Sequence, residues 1–474
     1  MYVTTTSLFG MTVAAHPELE EDLARVCQEL AGRCQYLEIR VEESASTDFS
    51  FQGADLESLN QRQERGGDVR ALVDGAWGFT SFNRIEDVGE MARSAIAQAG
   101  LVGGGPVTLA PVPPVVDRVP AALVVDPAQL SLDSKVERLR AMNAIVLGYG
   151  APITTSSSYY VDRRARIWLA TTDGTALYQE RVDVQAGVVA IAAAGGRVQR
   201  RSFTTGSSDD ASLPALTEET VLRTCLQCDG LTRAPKPKAG EYTVVIDPRL
   251  AGVFAHEAVG HLSESDHVHE NPRMREVMTL GAELGVPELD IYDTGLVAGS
   301  RGALRYDEEG VPAGRADLVR GGRLVGRLHS RETAGAMGEA PTGNARAISY
   351  RFPPIVRMRS TYIGPGSASR ADVFKGIKRG LYCVESLGGQ TNMEMFTFSA
   401  GLAYLIEDGE PGELLRDVTL TGNTFKTLKD IEAIEDTMTP AESGGGCGKA
   451  GQGPLPVGFG APHLRIREVR IGGD

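Results

Sequence analysis

The segment TRAPKPKAGEYTVVIDPRLAGVFAHEAVGHL, residues 232–262, divides the chain and carries its most distinctive chemistry. Its two prolines, two residues apart, interrupt both helix and sheet, so residues 234–240 are predicted to be a linker. A chain of 474 residues is also too long for one ordinary hydrophobic core. The sequence therefore predicts an N-terminal domain over residues 1–233 and a C-terminal domain over residues 241–474.

The residues after the linker predict a largely β domain that contains one important helix. Residues 242–246 have the pattern of a strand, and residues 249–262 have that of a short helix. Beyond this helix the pattern is mostly short strands with glycine and proline turns, for example at residues 355–363 and 402–406. The motif described below is therefore expected on a helix among strands.

The first half of the chain predicts helices that alternate with β-hairpins. Residues 16–33 carry apolar side chains at helical spacing. Within residues 68–79, the pair Asp74-Gly75 favours the tight turn of a hairpin. Matching patterns predict further helices and strands at residues 36–41, 86–99, 132–147, 154–171 and 176–194. The whole chain is predicted to be α+β, with an N-terminal α/β domain of helices and antiparallel hairpins and a C-terminal, largely β domain.

Composition and charge exclude several classes of protein. Apolar residues make up 42% and charged residues 23% of the chain, which is typical of a soluble globular protein. No stretch approaches the roughly 20 apolar residues that span a bilayer, and the first eight residues lack the basic start of a signal peptide. The net charge of −14 argues against binding to nucleic acid or to an anionic membrane. The predicted location is cytoplasmic.

The motif HEAVGH, residues 256–261, points to metal chemistry. Two imidazoles beside a glutamate form the ligand-and-base arrangement of zinc peptidases. Zinc polarises a water molecule and lowers its pKa to about 7, and a nearby carboxylate accepts the proton as the water attacks a carbonyl. His256 and His261 are therefore candidate zinc ligands, and Glu257 is the candidate general base.

The spacing of these histidines differs from that of the familiar zincin motif, in which they lie four residues apart. Five residues place two side chains about 140° apart on a regular helix, because each residue turns by about 100°. Both can face one metal only if the helix widens by a residue or ends between them. Gly260, just before His261, is expected to permit such a departure.

A catalytic zinc site usually has three protein ligands, so a third must come from elsewhere in the chain. The best candidate is Cys447, which lies in the glycine-rich residues 443–453, where the backbone can approach a ligand closely. A flexible loop with an incidental thiol is the alternative explanation of this stretch. His267 and His269 follow the motif and are predicted to be an exposed loop pair rather than additional ligands.

Two acidic residues and two further cysteines also bear on the site. Glu264 and Asp266 are candidates for outer carboxylates, because zinc-bound imidazoles usually donate their second N–H to a carboxylate or carbonyl. Cys225 and Cys228 have the spacing of a redox pair or of half a zinc site, but no second pair completes it. These two cysteines are therefore predicted to be structural.

Taken together, these motifs resemble the TldD/PmbA family of zinc metalloproteases, and specifically its catalytic TldD-type subunit. The match includes the histidine motif and, near the C-terminus, the run GCGKAGQ at residues 446–452. Further stretches that fit the family lie at residues 68–70, 75–79, 343–346, 354–359, 398–409, 456–457 and 465–466. The resemblance therefore extends, at separated motifs in the right order, over most of the chain.

The resemblance implies a site, a cofactor and partners. In TldD-type proteins the two motif histidines and the late cysteine bind Zn²⁺ and the glutamate is catalytic, and those positions here are His256, His261, Cys447 and Glu257. Such proteins are intracellular dimers that degrade small unfolded peptides or trim modified peptide precursors. The resemblance thus implies a peptide substrate and a dimer, either a homodimer or a heterodimer with a PmbA/TldE-type paralogue.

Two other functions remain open at the level of the residues. One is a non-enzymatic modulator or partner subunit whose zinc is structural, although such a site is normally closed by four protein ligands. The other is a thiol–disulfide enzyme built on Cys225 and Cys228. Chelation of metal would inactivate a zinc peptidase and would leave a thiol–disulfide enzyme active.

Overall fold

The structure is a computed structural model that describes residues 7–8, 11–12, 17–392, 394–441 and 444–472. Residues 1–6, residue 16 at the predicted start of the first helix, and residue 443 of the glycine-rich stretch lie outside the described residues. None of the helices in these ranges is long and apolar enough to cross a membrane.

The N-terminal half is built on one seven-stranded sheet, with helices packed against it. A two-stranded pair, β1 (Ser7–Leu8) and β2 (Met11–Thr12), precedes it. The helices are α1 (Pro17–Leu30), α2 (Val88–Val102), α3 (Leu132–Gly148) and α4 (Glu218–Arg233). The strands are β3 (Tyr36–Gln52), β4 (Asp55–Val73), β5 (Ala76–Phe82), β6 (Val116–Val119), β7 (Ile153–Thr171), β8 (Ala176–Ala194) and β9 (Arg197–Ser207).

The strand order of this sheet is β5-β4-β3-β7-β8-β6, and β9 also pairs with β8. All of these pairs are antiparallel except β6 with β8. Helices α1 and α2 pack on the sheet through a cluster that includes Leu23 and Val69. Helices α3 and α4 pack on it through a second cluster that includes Leu139 and Val188. Each helix pair thus buries its apolar face against one part of the sheet.

The C-terminal half is mostly short strands around one large core. Its helices are α5 (Pro248–Ala255), α6 (Ser265–Glu270), α7 (Pro272–Val277), α8 (Arg331–Met337), α9 (Arg370–Phe374) and α10 (Thr424–Lys429). Its first strands are β10 (Gly240–Ile246), β11 (Ile291–Thr294), β12 (Arg315–Arg320), β13 (Arg323–Leu324), β14 (Ala345–Arg346), β15 (Ile355–Val356), β16 (Ser360–Ile363), β17 (Arg379–Asn392) and β18 (Met395–Glu407). The remaining strands are β19 (Glu410–Leu415), β20 (Thr419–Asn423), β21 (Ile431–Ile434), β22 (Thr439–Ala441), β23 (Cys447–Lys449), β24 (Gln452–Leu455), β25 (Gly458–Ala461) and β26 (Leu464–Gly472).

Five of these strands close into a ring. They pair in the order β10-β17-β18-β20-β26, and β26 pairs back onto β10. A six-stranded sheet, β13-β12-β11-β16-β25-β22, lies beside the ring, and β14-β15 and β23-β24 form separate two-stranded pairs. Helix α5 packs between the ring and this second sheet, because its residue Gly252 lies close to Phe459 of β25 and its residue Phe254 contacts Phe398 of β18. The predicted α+β class is confirmed.

The two halves are joined by a short segment and by buried ion pairs. No helix or strand is formed over residues 234–239, and Arg416 donates from Nε to the carbonyl oxygen of Ala234 at 3.0 Å. On the buried side, Arg70 contacts Glu309 at 2.7 Å. Removing one partner of such a pair would leave a buried charge uncompensated, which makes the junction specific.

Candidate active site

Strand β10 and the motif helix are joined by Asp247, whose carboxylate starts the helix. Its Oδ1 atom accepts from the backbone N–H of Leu250 at 2.9 Å and from that of Glu385 in β17 at 2.9 Å. Burial raises the pKa of Asp247, and these N–H donors limit the rise, so that it reaches about 6. The same side chain therefore caps the helix and ties it to the neighbouring strand.

The helix changes form between the two histidines, as their spacing predicted. The regular helix ends at Ala255, residues 256–260 form a π-helical turn, and residues 261–263 form a 3₁₀ turn. The backbone N–H of His261 donates to the carbonyl oxygen of His256, five residues earlier. This single wide turn brings two residues five apart onto the same side of the helix.

The packing around residue 260 gives a different reason for a glycine there from the backbone freedom that the sequence suggested. Its backbone angles, φ −56° and ψ −58°, are ordinary helical values that any residue adopts. A Cβ atom at this position would lie 2.0 Å from the Sδ atom of Met358. A side chain here would have to displace Met358, so the glycine allows Met358 to pack closely on the helix, and its backbone angles do not need glycine.

Cys447 lies beside the two histidines, although it is 186 residues beyond His261. Its Sγ atom is 3.4 Å from the Nε2 atom of His261. The rings of His256 and His261 meet edge to face, with their centroids 5.1 Å apart. Ligand atoms of His256, His261 and Cys447 all lie within 4.8 Å of one another. The structure therefore brings together the three residues that the sequence nominated.

The protonation states of this group are coupled through short contacts. Burial raises the pKa of Cys447, but hydrogen bonds and charge from His256 and His261 outweigh it and lower this pKa to about 5. Burial lowers the pKa of His261, but Cys447 and Glu264 outweigh it and raise this pKa to about 10. A thiolate beside an imidazolium is therefore the favoured form at neutral pH when no metal is present.

Glu264 occupies the outer position predicted for it. Its Oε2 atom lies 3.1 Å from the Nδ1 atom of His261 and 3.2 Å from the Nζ atom of Lys449. Burial raises the pKa of Glu264, and His261 and Lys449 together outweigh burial and lower it. Glu264 is therefore a carboxylate that orients the His261 ring, leaving Nε2 toward Cys447.

The other neighbouring acid and histidines have different roles. Asp266 contacts no imidazole among the described residues but accepts from Lys449 at 2.7 Å on both carboxylate oxygens. His267 and His269 lie on helix α6, not in a loop, and both side chains are exposed as predicted. The Nδ1 atom of His256 is buried and has no hydrogen-bond partner among the described residues.

Glu257 lies at the centre of a long cleft. Its Oε2 atom is 4.0 Å from the Nε2 atom of His261, and its side chain is 25% exposed. Two cavities, of about 870 Å³ and about 930 Å³, adjoin it. Glu257, His261, Thr391 and Gly448 line both cavities, so an extended molecule can pass across the centre.

Three side chains from elsewhere in the chain hold the loop that carries Cys447. Gln185 on β8 accepts from the backbone N–H of Gly445 at 2.7 Å. Arg301 donates to the carbonyl oxygen of Gly445 and contacts both carboxylate oxygens of Asp183 on β8, at 2.6 and 2.7 Å. Arg357 donates to the carbonyl oxygen of Cys447 at 2.6 Å. The N-terminal sheet thus helps to position a residue of the C-terminal site.

Sequence reasoning missed most of these supporting residues. Lys449 and Arg357 lie inside stretches that resemble the family. Those stretches could have drawn attention to both residues, but the sequence alone assigned them no role. Gln185, Asp183 and Arg301 had no local signal, because their contacts join distant parts of the chain.

The CxxC pair has the environment of structural cysteines. Cys225 and Cys228 are both fully buried on α4. Burial raises the pKa of each thiol to about 11. A reactive thiol needs a lowered pKa and access to solvent. The thiol–disulfide function is therefore not supported.

Comparisons with known proteins place the chain among metallopeptidases. Family models described as PmbA/TldA metallopeptidase domain 1, central domain and C-terminal domain match residues 37–99, 125–227 and 239–473. A metalloprotease of Synechocystis sp. is 45% identical over 451 residues, covering 94% of this chain and 97% of the relative. A metalloprotease of Methanothermobacter thermautotrophicus is 32% identical over 461 residues, covering 96% of this chain and 100% of the relative.

A solved structure shares the fold. TldE from Thermococcus kodakarensis aligns with a TM-score of 0.78 and 18% identity, over 96% of this chain and 100% of that one. The relatives named above are metalloproteases, which defines the class. The chain belongs to the PmbA/TldD metallopeptidase family, as its motifs predicted.

Proposed function

We propose that the chain is a zinc-dependent peptidase of the TldD type, with His256, His261 and Cys447 as zinc ligands and Glu257 as the general base. The observation that carries this proposal is the grouping of three ligand atoms within 4.8 Å, beside Glu257 in an open cleft. Imidazole and thiolate are preferred zinc ligands. A tetrahedral zinc with bonds of about 2.0–2.3 Å separates its ligand atoms by about 3.3–3.8 Å. The 3.4 Å between Cys447 Sγ and His261 Nε2 fits that range.

Each residue has a distinct task in this proposal. When bound, zinc would polarise a water molecule and the carbonyl of the scissile bond. Glu257 accepts the proton of the attacking water and passes it to the amine that leaves. Glu264 holds the His261 ring in place. Three protein ligands would leave a bound zinc one ligand short of a closed structural site, which favours catalysis over the alternative of a structural zinc in a modulator.

The free edge of β17 is the proposed binding surface for the peptide. Strand β10 pairs with this edge only over residues 380–383, so from residue 384 onward no described strand covers it. Residues 386–391 line the cleft together with Glu257. An extended peptide can add to such an edge through its backbone, which makes recognition weakly dependent on sequence. Only an unfolded or short peptide can present a backbone in this way.

The proposal extends to assembly and location. Membership of the family implies the proposed dimer, formed by two copies of this chain or by this chain and a TldE-type paralogue. Neither nucleic acid nor a membrane is a proposed partner, since the net charge of −14 opposes both. The proposed location is cytoplasmic.

Chelation and pH together test the proposal. Excess chelator should remove all peptidase activity, and added zinc should restore it. Zinc affinity should rise with pH, because the metal displaces a proton from His261 below a pKa of about 10 and another from Cys447 below a pKa of about 5. As the pH is lowered between these two pKa values, we expect the zinc affinity to fall by at least about tenfold per pH unit. Below the lower pKa the affinity should fall more steeply. Activity that is indifferent to chelation, in protein without bound metal, would overturn the proposal.

Glu264→Gln should weaken zinc binding without removing a ligand. Loss of the carboxylate that orients a ligating histidine typically costs about 10–100-fold in metal affinity. Chelator competition measures that affinity directly. Asp266→Asn is the matched control, because Asp266 contacts Lys449 but neither histidine. Equal affinities for Glu264→Gln and the unmodified protein would exclude the positioning role.

A further inference from the structure

One wall of the cleft carries an unpaired cation. Arg200, Ser202 and Thr204 are alternate residues of β9, so their side chains share one face of the strand, and all three line the cleft beside Glu257. Arg200 is exposed, and no ion pair or hydrogen bond joins its side chain to another described residue. The other arginine that lines this cavity, Arg301, is neutralised by Asp183 at 2.6 Å. Arg200 is thus the uncompensated positive charge among the described residues of this wall.

The position of Arg200 relative to the centre follows from the strand. A Cβ atom on Gly444 would lie 3.2 Å from the Cβ atom of Thr204, which places Thr204 next to the loop that leads to Cys447. Arg200 lies four residues farther along β9, a distance of about 13 Å in a strand. At its far end the cleft continues into a smaller cavity that Arg200 and Leu387 also line. A peptide leaving the centre in this direction passes Arg200 after about three or four residues.

The cavity of about 930 Å³ is the second arm of the cleft and has the opposite charge. It is lined by Glu270, which is exposed and has no ion pair among the described residues. Lys449, the cation of that arm, is already bound to Asp266 at 2.7 Å. The two arms, which share Glu257, therefore differ in charge.

We propose that Arg200 forms a subsite for an acidic side chain, so that the preferred substrates carry Asp or Glu on one side of the scissile bond. This inference rests on the proposed peptidase function and names a substrate class for it. A guanidinium presents parallel N–H donors that match a carboxylate. The net charge of −14 does not oppose this contact strongly, since charges beyond about 8 Å are screened at physiological ionic strength. Glu270 disfavours an acidic residue in the other arm.

A peptide scan tests the subsite. An uncharged, doubly labelled peptide is prepared with a single Glu at each position in turn, beside matched peptides with Gln. We expect a kcat/KM about tenfold higher for Glu than for Gln at one position or two adjacent positions, on one side of the cleavage site only. In Arg200→Gln this ratio should fall to about one, and in Arg200→Glu the preference should turn to Lys.

Arg197→Gln is the control, because Arg197 is an exposed arginine of the same strand that does not line the cleft. It should keep the Glu preference of the unmodified protein. Hydrolysis without any Glu preference, or a preference that survives in Arg200→Gln, would overturn the subsite and leave the peptidase proposal intact. If no peptide is cleaved, binding of the same peptides is measured by fluorescence anisotropy. Binding that prefers Glu and depends on Arg200 would then support the subsite while the peptidase proposal fails, and binding without that preference would overturn the subsite too.

Discussion

Cys447→Ala should lose stoichiometric zinc and, with it, peptide hydrolysis. Only His256 and His261 would remain as strong protein ligands, so we expect the zinc affinity to fall by orders of magnitude. The alternative explanation, an incidental thiol in a flexible loop, predicts no change. The thiol is buried and lies 3.4 Å from His261 Nε2. Elemental analysis of the pure variant, with chelator competition, measures the loss.

Cys228→Ala is the matched control for this experiment. Cys228 is also buried, and its Sγ atom contacts the carbonyl oxygen of Ala190 at 3.2 Å, far along the chain from the motif. Its removal costs packing, as removal of any buried cysteine does, but zinc stoichiometry should stay unchanged. A Cys447→Ala protein that keeps a full equivalent of zinc and cleaves peptides normally would show that Cys447 is not a zinc ligand. A third ligand would then be sought among Glu264, Asp266, His267 and His269.

Local sequence patterns correctly predicted a turn and a helix whose formation depends mainly on neighbouring residues in the chain. The hairpin turn at Asp74-Gly75 is present, with φ of 47° and 70° at the two residues, which is the left-handed conformation that this pair tolerates. Helix α3 occupies residues 132–148, against 132–147 predicted, and its side-chain cap is Ser131. Residues 355–363, where the pattern indicated short strands, form two of them, β15 and β16, which pair with different partners. Short apolar runs do not specify such partners.

The widened helix shows how far spacing alone can be used. Two ligands five residues apart required either a break or a wide turn, and a π-helical turn is what the structure contains. The helix departs from regular form at Gly260, but the glycine has ordinary helical angles, and a side chain there would meet Met358, almost a hundred residues later in the chain. Close packing between distant segments leaves no periodic trace in a single sequence.

The same limit applies to the residues that support the site. Glu264 lies three residues after His261 and was predicted from the general need of a ligating histidine for an outer carboxylate. Gln185 and Arg301 act through the backbone of Gly445, and one of them comes from the N-terminal sheet. Their contacts join segments that are more than a hundred residues apart in the chain, so no pattern near the motif could indicate them.

Glu257→Gln should abolish hydrolysis while zinc binding and the fold remain. The change keeps both imidazoles and the thiolate and replaces a carboxylate that is 25% exposed by a neutral amide of nearly the same shape. An amide does not accept the proton of the attacking water, and loss of a general base typically costs about 10²–10⁴-fold in rate. The expected result is a folded protein with a full equivalent of zinc, unchanged peptide binding and a kcat lowered by that factor.

Glu276→Gln, which removes an exposed carboxylate from helix α7 outside the lining of the cleft, is the matched control and should keep full activity. Near-normal hydrolysis by Glu257→Gln would show that another group takes the proton, and a loss of zinc from this variant would mean that Glu257 acts on the metal site rather than on the water.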